Sequence, residues 1–130
     1  MNFEFTAPDR YFRFFATAQL ISSYNDRWDH GTRVLNAGST EPDLDNLLPF
    51  LNFLKMDIRK PGEQITGFVQ GSVSQLPFKT DYFSITVCLD VMEHIPEEFR
   101  NRAVEELARV ASDLCIIAFP KDHPANTQYE

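Results

Sequence analysis

The chain has 130 residues, 19 acidic against 12 basic side chains, and a formal net charge of −7. That length suits one domain with its own core, and a hydrophobic fraction of 43% that includes 12 Phe excludes a disordered polymer. The acidic balance, with no Lys/Arg run to offset it locally, argues against a nucleic-acid partner. No apolar run approaches the roughly 20 residues that span a membrane, and the N-terminal residues lack the apolar stretch of a signal peptide. The 2 Cys and 3 His show no metal-ligand spacing. The expected setting is a reducing cytoplasm, with no membrane partner and no bound metal.

In chain order, Thr6-Ala7-Pro8-Asp9 has the form of a helix start, with Thr6 as cap and Pro8 in the first turn. Tyr11, Phe14, Phe15, Ala18 and Ile21 follow at helical spacing. This segment, 1–28, is expected to form an N-terminal helical cap that covers a sheet face or the front of a cleft. Residues 33–37 predict a short buried strand ending at Gly38. Ser39 and Thr40 are plausible caps, and Pro42-Asp43 opens a short helix through Leu48. A second strand is expected over 50–58, closed by Lys60-Pro61-Gly62, a third over 65–70 and a fourth over 83–89. Ile95-Pro96-Glu97-Glu98 begins a helix whose buried face is marked by Phe99, Ala103, Leu107 and Val110. Glu98/Arg102 and Glu105/Arg109 would pair on its wet face. A fifth strand, 114–119, is apolar without alternation, as parallel strands covered on both faces tend to be. Strands separated by helical segments predict an α/β domain, a Rossmann-like, mostly parallel sheet flanked by helices. Its core would span 33–120, followed by a tail at 121–130.

The strand ends carry the functional signal. Asn36-Ala37-Gly38, Asp57, Gly71-Ser72 and Asp90 all stand at expected strand exits. In a parallel sheet those exits share one edge, and there they would make a ligand crevice. Asp57 can accept both hydroxyls of a ribose, or simply start the turn at Lys60-Pro61-Gly62. Asp90, Glu93 and His94 crowd the mouth of the following helix. Glu93 either favours the helix dipole or serves as a base, and His94 either packs and caps or does the same. Cys88 and Cys115 fall within strands and read as small buried hydrophobes.

Taken in series, Val34-Leu35-Asn36-Ala37-Gly38, Asp57, Gly71-Ser72-Val73-Ser74-Gln75-Leu76-Pro77-Phe78, Asp90-Val91-Met92-Glu93-His94-Ile95-Pro96 and Glu106-Leu107-Ala108-Arg109-Val110 resemble the successive motifs of class I S-adenosylmethionine-dependent methyltransferases. The likeness is to the small-molecule "type 11" group and covers 33–120. It implies a truncated class I methyltransferase fold, S-adenosylmethionine as cofactor and a small-molecule acceptor. It also implies roles for individual residues. Gly38, with Asn36, would let the first loop approach the methionine part. Asp57 would hold the ribose. Ser72 and Val73 would lie beside the adenine. Asp90 would face the reactive sulfonium, and Glu93 and His94 would line the acceptor side as the catalytic candidates.

The sequence also departs from that pattern. Asn36 stands where the first motif usually has an acid, and Thr40 and Pro42 where it usually has glycines. Ser72 replaces an Asp that holds the adenine amine, and Ser84 replaces an Asp after Phe83. Two lost charge-assisted hydrogen bonds would weaken cofactor binding by a factor on the order of a hundred. The alternative is therefore a non-catalytic methyltransferase-like module for binding or assembly. A nicotinamide dehydrogenase lacks its glycine loop here. The family's sheet normally continues beyond the fifth strand. The expectation is accordingly a homo-oligomer through the strand-five edge or the adjoining face.

Overall fold

The computed structural model describes residues 9–24, 27–39, 44–59 and 67–119, with 9–11 described by backbone alone. The elements are α1 (Asp9–Ser22), β1 (Arg33–Ala37), α2 (Leu44–Leu47), β2 (Asn52–Asp57), β3 (Phe68–Gln70), β4 (Phe83–Leu89), α3 (Glu97–Val110) and β5 (Ala111–Ala118), with a 3-10 turn at Met92–His94. The strands form one five-stranded sheet in the order β3-β2-β1-β4-β5, and each neighbouring pair is parallel. The expected helix-flanked parallel sheet is present, with β1 at its centre and the chain reversing direction across the sheet between β1 and β4.

The period-2 alternation of strands divides the core into two layers. On one face Leu35, Ala37, Met56, Phe83 and Cys88 pack with Ala103, Leu107 and Val110 of α3. On the other, Val34, Ile85, Val87 and Leu89 pack with Phe14 and Ile21 of α1 and Leu44 beside them in α2. Phe83 and Ile85 have the same parity yet face opposite layers, because the β4–β5 register shifts between them. Such an irregularity adds a residue on one strand and turns the chain over. Thr86, fully buried, directs its hydroxyl to the Leu107 carbonyl at 3.0 Å. Lys55 is also buried and reaches Asp45 of α2 at 3.0 Å, which ties that short helix to β2.

Several sequence expectations need adjustment. In α1, Phe14 and Ile21 are buried but Phe15 is 59% exposed, because the apolar stripe is narrower than its aromatic content suggests. Phe99 is likewise 42% exposed. The helix expected from Ile95-Pro96-Glu97-Glu98 does start at Glu97, and a 3-10 turn at Met92–His94 precedes it. Arg109 pairs with Glu106, three residues away, instead of Glu105. β2 is shorter at both ends than expected, and β5 begins at Ala111 directly after α3, with an exposed stretch at Ser112 and Asp113. From Leu114 to Ala118 its residues are half-buried, as befits the edge position. The expected cap at Thr6, the helix start at Pro42-Asp43, the Lys60-Pro61-Gly62 turn, the start of the third strand and the 121–130 tail lie outside the described residues.

Two local devices position the edge of the sheet where the strands end. The first is a polar clamp on the turn before β4. Glu106 accepts the Leu76 amide at 3.0 Å. Arg109 donates to the Leu76 carbonyl at 3.2 Å and to Thr80 at 3.4 Å. Both backbone groups of Leu76 are thus satisfied by one helix, while Phe78 stacks edge-on against Phe83 with ring centres 4.9 Å apart. The Arg109 hydrogen bond, with the Leu76 amide assisting, holds the Glu106 carboxyl below its ordinary range. A carboxylate with a lowered folded value stabilises the fold above its ordinary pKa and loses that contribution as pH falls through the folded value. Glu106→Ala is therefore expected to lower the melting temperature at pH 7 by about 3–5 °C. In thermal melts the gap from the wild type should narrow as pH drops below about 4.

The second device is Gly38, at φ +87°. Its amide donates to the Met56 carbonyl at 2.5 Å, and Ser39 donates to the same oxygen at 3.2 Å, so the loop after β1 folds over the end of β2. A Cβ here would lie 2.1 Å from Val91 Cγ2. Val91 is branched and cannot swing aside as a long chain would. Gly38→Ala is expected to destabilise the protein by about 1–3 kcal/mol in denaturant titration, from left-handed strain plus the clash.

Candidate functional site

The C-terminal edge of the sheet opens into a cleft of about 880 Å³. It lies where β1 and β4 part, the position at which an open parallel sheet leaves a crevice. All eight residues singled out from the sequence line it: Asn36 and Gly38 from β1 and its loop, Asp57 from β2, Ser72 and Val73 after β3, and Asp90, Glu93 and His94 after β4. Their convergence follows from topology, because every one of them stands at or just beyond the end of a parallel strand.

Asp57 is 7% exposed and caps its own exit. Its Oδ1 accepts the Arg59 amide at 3.0 Å, and its Oδ2 accepts Arg59 Nη2 at 3.1 Å. Asp57 thus bonds the chain just past β2 while lining the cleft. Arg59 itself is 74% exposed along its side chain. On the neighbouring wall, Ser72 and Ser74 share a hydroxyl hydrogen bond of 2.9 Å. The Ser72 hydroxyl also receives the Ser74 amide at 3.3 Å. Val73 turns inward beneath them, 8% exposed, with Leu76. Asn36 is 3% exposed and forms the floor.

Asp90 adopts φ +60°, a left-handed conformation that Asp tolerates better than most residues. Its amide is secured to the Ala118 carbonyl at 2.8 Å. Its carboxylate meets Arg13 of α1, with Arg13 Nη2 2.6 Å from Asp90 Oδ1. The contact is close but lies off the N–H direction. Neither Asp90 oxygen takes an aligned hydrogen bond, and the buried Arg13 Nε has none either. Glu93 lies in the 3-10 turn, its side chain 2% exposed, with Oε1 3.5 Å from His94 Nε2 and a buried Oε2 that has no hydrogen-bond partner. The His94 side chain is 64% exposed at the rim. A carboxylate placed near a helix mouth by sequence is here folded inward, because the 3-10 turn precedes α3 and rotates Glu93 beneath the surface.

Burial, reinforced by the nearby Cys115, Glu93 and Asp90, pushes the Cys88 thiol up to about 12. It therefore stays protonated and serves as core, as its strand position indicated. Among the described residues no group of three or more His, Cys, Asp or Glu is arranged to hold a metal ion.

The sequence reading missed Arg13, Arg59 and Val91. Arg13 directly precedes the buried Phe14, so it was legible only as a cation flanking an apolar stripe. Arg59 stands two residues past the strand-end acid, which is close enough to turn back on it. Val91 stood in the sequence only as one residue of the Asp90–Pro96 motif, yet it packs under Gly38.

Residues 33–119 match the family model of a methyltransferase domain. No curated protein matches the sequence. Among solved structures, a candidate methyltransferase from Bacillus halodurans superposes with a TM-score of 0.57 at 23% identity, covering 74% of this chain and 45% of its own. The YcgJ protein of Bacillus subtilis gives 0.56 at 24% identity, covering 75% and 46%. The PH0226 protein of Pyrococcus horikoshii gives 0.61 at 17%, covering 76% and 51%. These likenesses show the fold, and the chain spans about half the length of these proteins. With the family match extending over most of the chain and the parallel sheet, strand order and strand-end cleft in place, this protein belongs to the methyltransferase-domain family.

Proposed function

We propose that the cleft binds S-adenosylmethionine and directs its methyl group to a small-molecule acceptor. The observation that carries this reading is the pair of carboxylates, Asp57 and Asp90, held on opposite flanks of β1 within one cleft of about 880 Å³. That space is in the range of small-ligand pockets. The residues present fit the cofactor. Asp57 offers paired oxygens to a ribose diol once Arg59 swings out. Ser72 and Val73 offer a polar rim over an apolar wall. The buried Asp90 oxygens lack aligned donors, as a carboxylate awaiting a ligand would.

When bound, the cofactor supplies a methyl group already activated on sulfur, so the protein's main task is positioning. Asn36 and Gly38 shape the floor, and the left-handed turn at Asp90 fixes its carboxylate. Glu93, with His94 at 3.5 Å, stands where a proton leaving an acceptor can be held at Glu93 Oε2. A second reading, a binding module without catalysis, draws on one specific observation: both oxygens of Asp57 are taken by Arg59. A homo-oligomer through the outer edge of β5 is also proposed, since no strand among the described residues pairs with that edge. Two free cysteines accord with a reducing cytoplasm. No helix of the described residues is long and apolar enough to cross a membrane.

Calorimetric titration with S-adenosylmethionine and S-adenosylhomocysteine tests the main reading. Binding is expected, and Asp57→Ala should weaken it by about tenfold or more; no heat at millimolar ligand from a folded sample would overturn it. Binding without methyl transfer to any acceptor in a metabolite panel would favour the second reading. Light scattering should give a mass of two or more copies, and a monodisperse monomer would remove the oligomer proposal.

A further inference from the structure

We propose that the end of the cleft beyond β4 seats an ammonium group on an apolar body, so that the methyl acceptor is a hydrophobic amine and the new bond forms on nitrogen. The transfer step rests on the cofactor reading above; the seat itself does not. Strand order sets the two ends of the cleft apart, with β2 and β3 on one side of β1 and β4 on the other. Asp57 ends β2, and Ser72 and Val73 follow β3, whereas Glu93, Ile95, Pro96 and Phe99 all follow β4. Glu93 is the group at that second end that calls for a ligand. Its side chain is buried, and its Oε2 has no hydrogen-bond partner. His94 approaches the other oxygen, at 3.5 Å, and among the described residues no Lys or Arg nitrogen lies within ion-pair distance of this carboxylate. A carboxylate buried in this way needs a cation with N–H donors, or it gives up its charge.

The walls around Glu93 say what carries that cation. Ile95 is half-buried, Pro96 and Phe99 are exposed, and all three line the same cleft. Phe99 adds an aromatic ring, which attracts an ammonium as well as an apolar stem. A buried anion under an apolar rim fits an amine with a hydrophobic body. An alcohol would bring one hydrogen bond and no charge, and an acid would be repelled. The cofactor's own amino-acid head also has an ammonium, but it brings a carboxylate with it. A carboxylate is suited to Arg13, which lies against Asp90 in the cleft, and is repelled by Glu93. A plain amine brings no anion, and its body uses the rim that an amino-acid head would leave bare.

The same arrangement supplies the proton step that an amine needs. Nitrogen can attack only as the free amine, so the ammonium first gives one proton to Glu93 Oε2. Its lone pair then forms the nitrogen–carbon bond as the carbon–sulfur bond breaks, and the electron pair of that bond stays on sulfur as a neutral thioether. The methylated nitrogen takes over the positive charge that sulfur gives up. The proton held on Glu93 leaves to solvent by way of His94, exposed at the rim.

The test titrates phenethylamine and phenethyl alcohol, which share one apolar body, into the full chain saturated with S-adenosylhomocysteine. By calorimetry the amine should bind about tenfold tighter than the alcohol. Glu93→Gln should remove most of that preference while changing the affinity for the alcohol by about threefold or less. Phe99→Ala should weaken both probes by about threefold or more. An alcohol that binds as tightly as the amine, or a preference that survives in folded Glu93→Gln, would overturn the seat. Displacement of S-adenosylhomocysteine by the amine would overturn the acceptor assignment, because Glu93 would then lie under the cofactor. Failure of S-adenosylhomocysteine to bind at all would remove the cofactor reading and the transfer step with it, and the ranking of the two probes on the unliganded protein would still decide the seat. Circular dichroism establishes folding of each variant. Should Glu93→Gln not fold, the ranking on the wild type and the Phe99→Ala loss carry the decision, and absence of either overturns the proposal.

Discussion

Everything in this structure depends on the parting of β1 and β4. The two strands are hydrogen-bonded neighbours from Val34–Ile85 to Ala37–Cys88. Beyond that point their chains go separate ways, β1 toward β2 and β4 toward β5. The backbone must then turn sharply on both sides of the gap, and on both sides it does so in the left-handed region, at Gly38 and at Asp90. The two turns interlock, because Val91 fills the space that a side chain at position 38 would need. The cleft is thus the result of a topological necessity fixed in place by one glycine–valine contact.

The electrostatics of the cleft follow from that geometry. Strand ends bring carboxylates together, and carboxylates brought together in partial burial must find cations. Arg59 comes from the strand's own continuation and lies largely in solvent, where its hold on Asp57 is screened. Arg13 comes from across the sheet and is mostly buried. Two superficially similar ion pairs are therefore unequal. One is a surface contact that costs little to break, and the other joins a whole helix to the cleft.

The sequence revealed the sheet well because its signals are local. Arg33–Ala37 and Phe83–Leu89 were found at their observed bounds, since short β-branched and apolar runs closed by Gly38 and Asp90 admit little else. The convergence of the eight cleft residues was also legible, because a parallel sheet places all its strand exits on one edge. The Met92–His94 turn was not, because a 3-10 turn differs from the first turn of an α-helix by a hydrogen-bond register that residue types hardly encode. Neither was the burial of Glu93, which depends on that turn. Arg109 was paired from helical spacing with Glu105, yet it turns to Glu106. In that orientation it also donates to the carbonyl of Leu76, thirty-three residues earlier in sequence, a partner that helical spacing does not show. The role of Arg13 depends on where α1 docks, a tertiary fact with no local trace.

The single hydrogen bond from the Asp90 amide to the Ala118 carbonyl joins the cleft to the last residue of the outer strand. Being main chain to main chain, it is indifferent to which side chain stands at 118. Sequence drift along β5 can therefore proceed without disturbing the cleft, provided the strand keeps its course. Peeling of that strand from the sheet is another matter, since it would withdraw a main-chain contact that holds the left-handed turn at Asp90. The outermost strand, farthest in the sheet order from β2 and β3, is in this respect part of the mounting of the carboxylate at the centre.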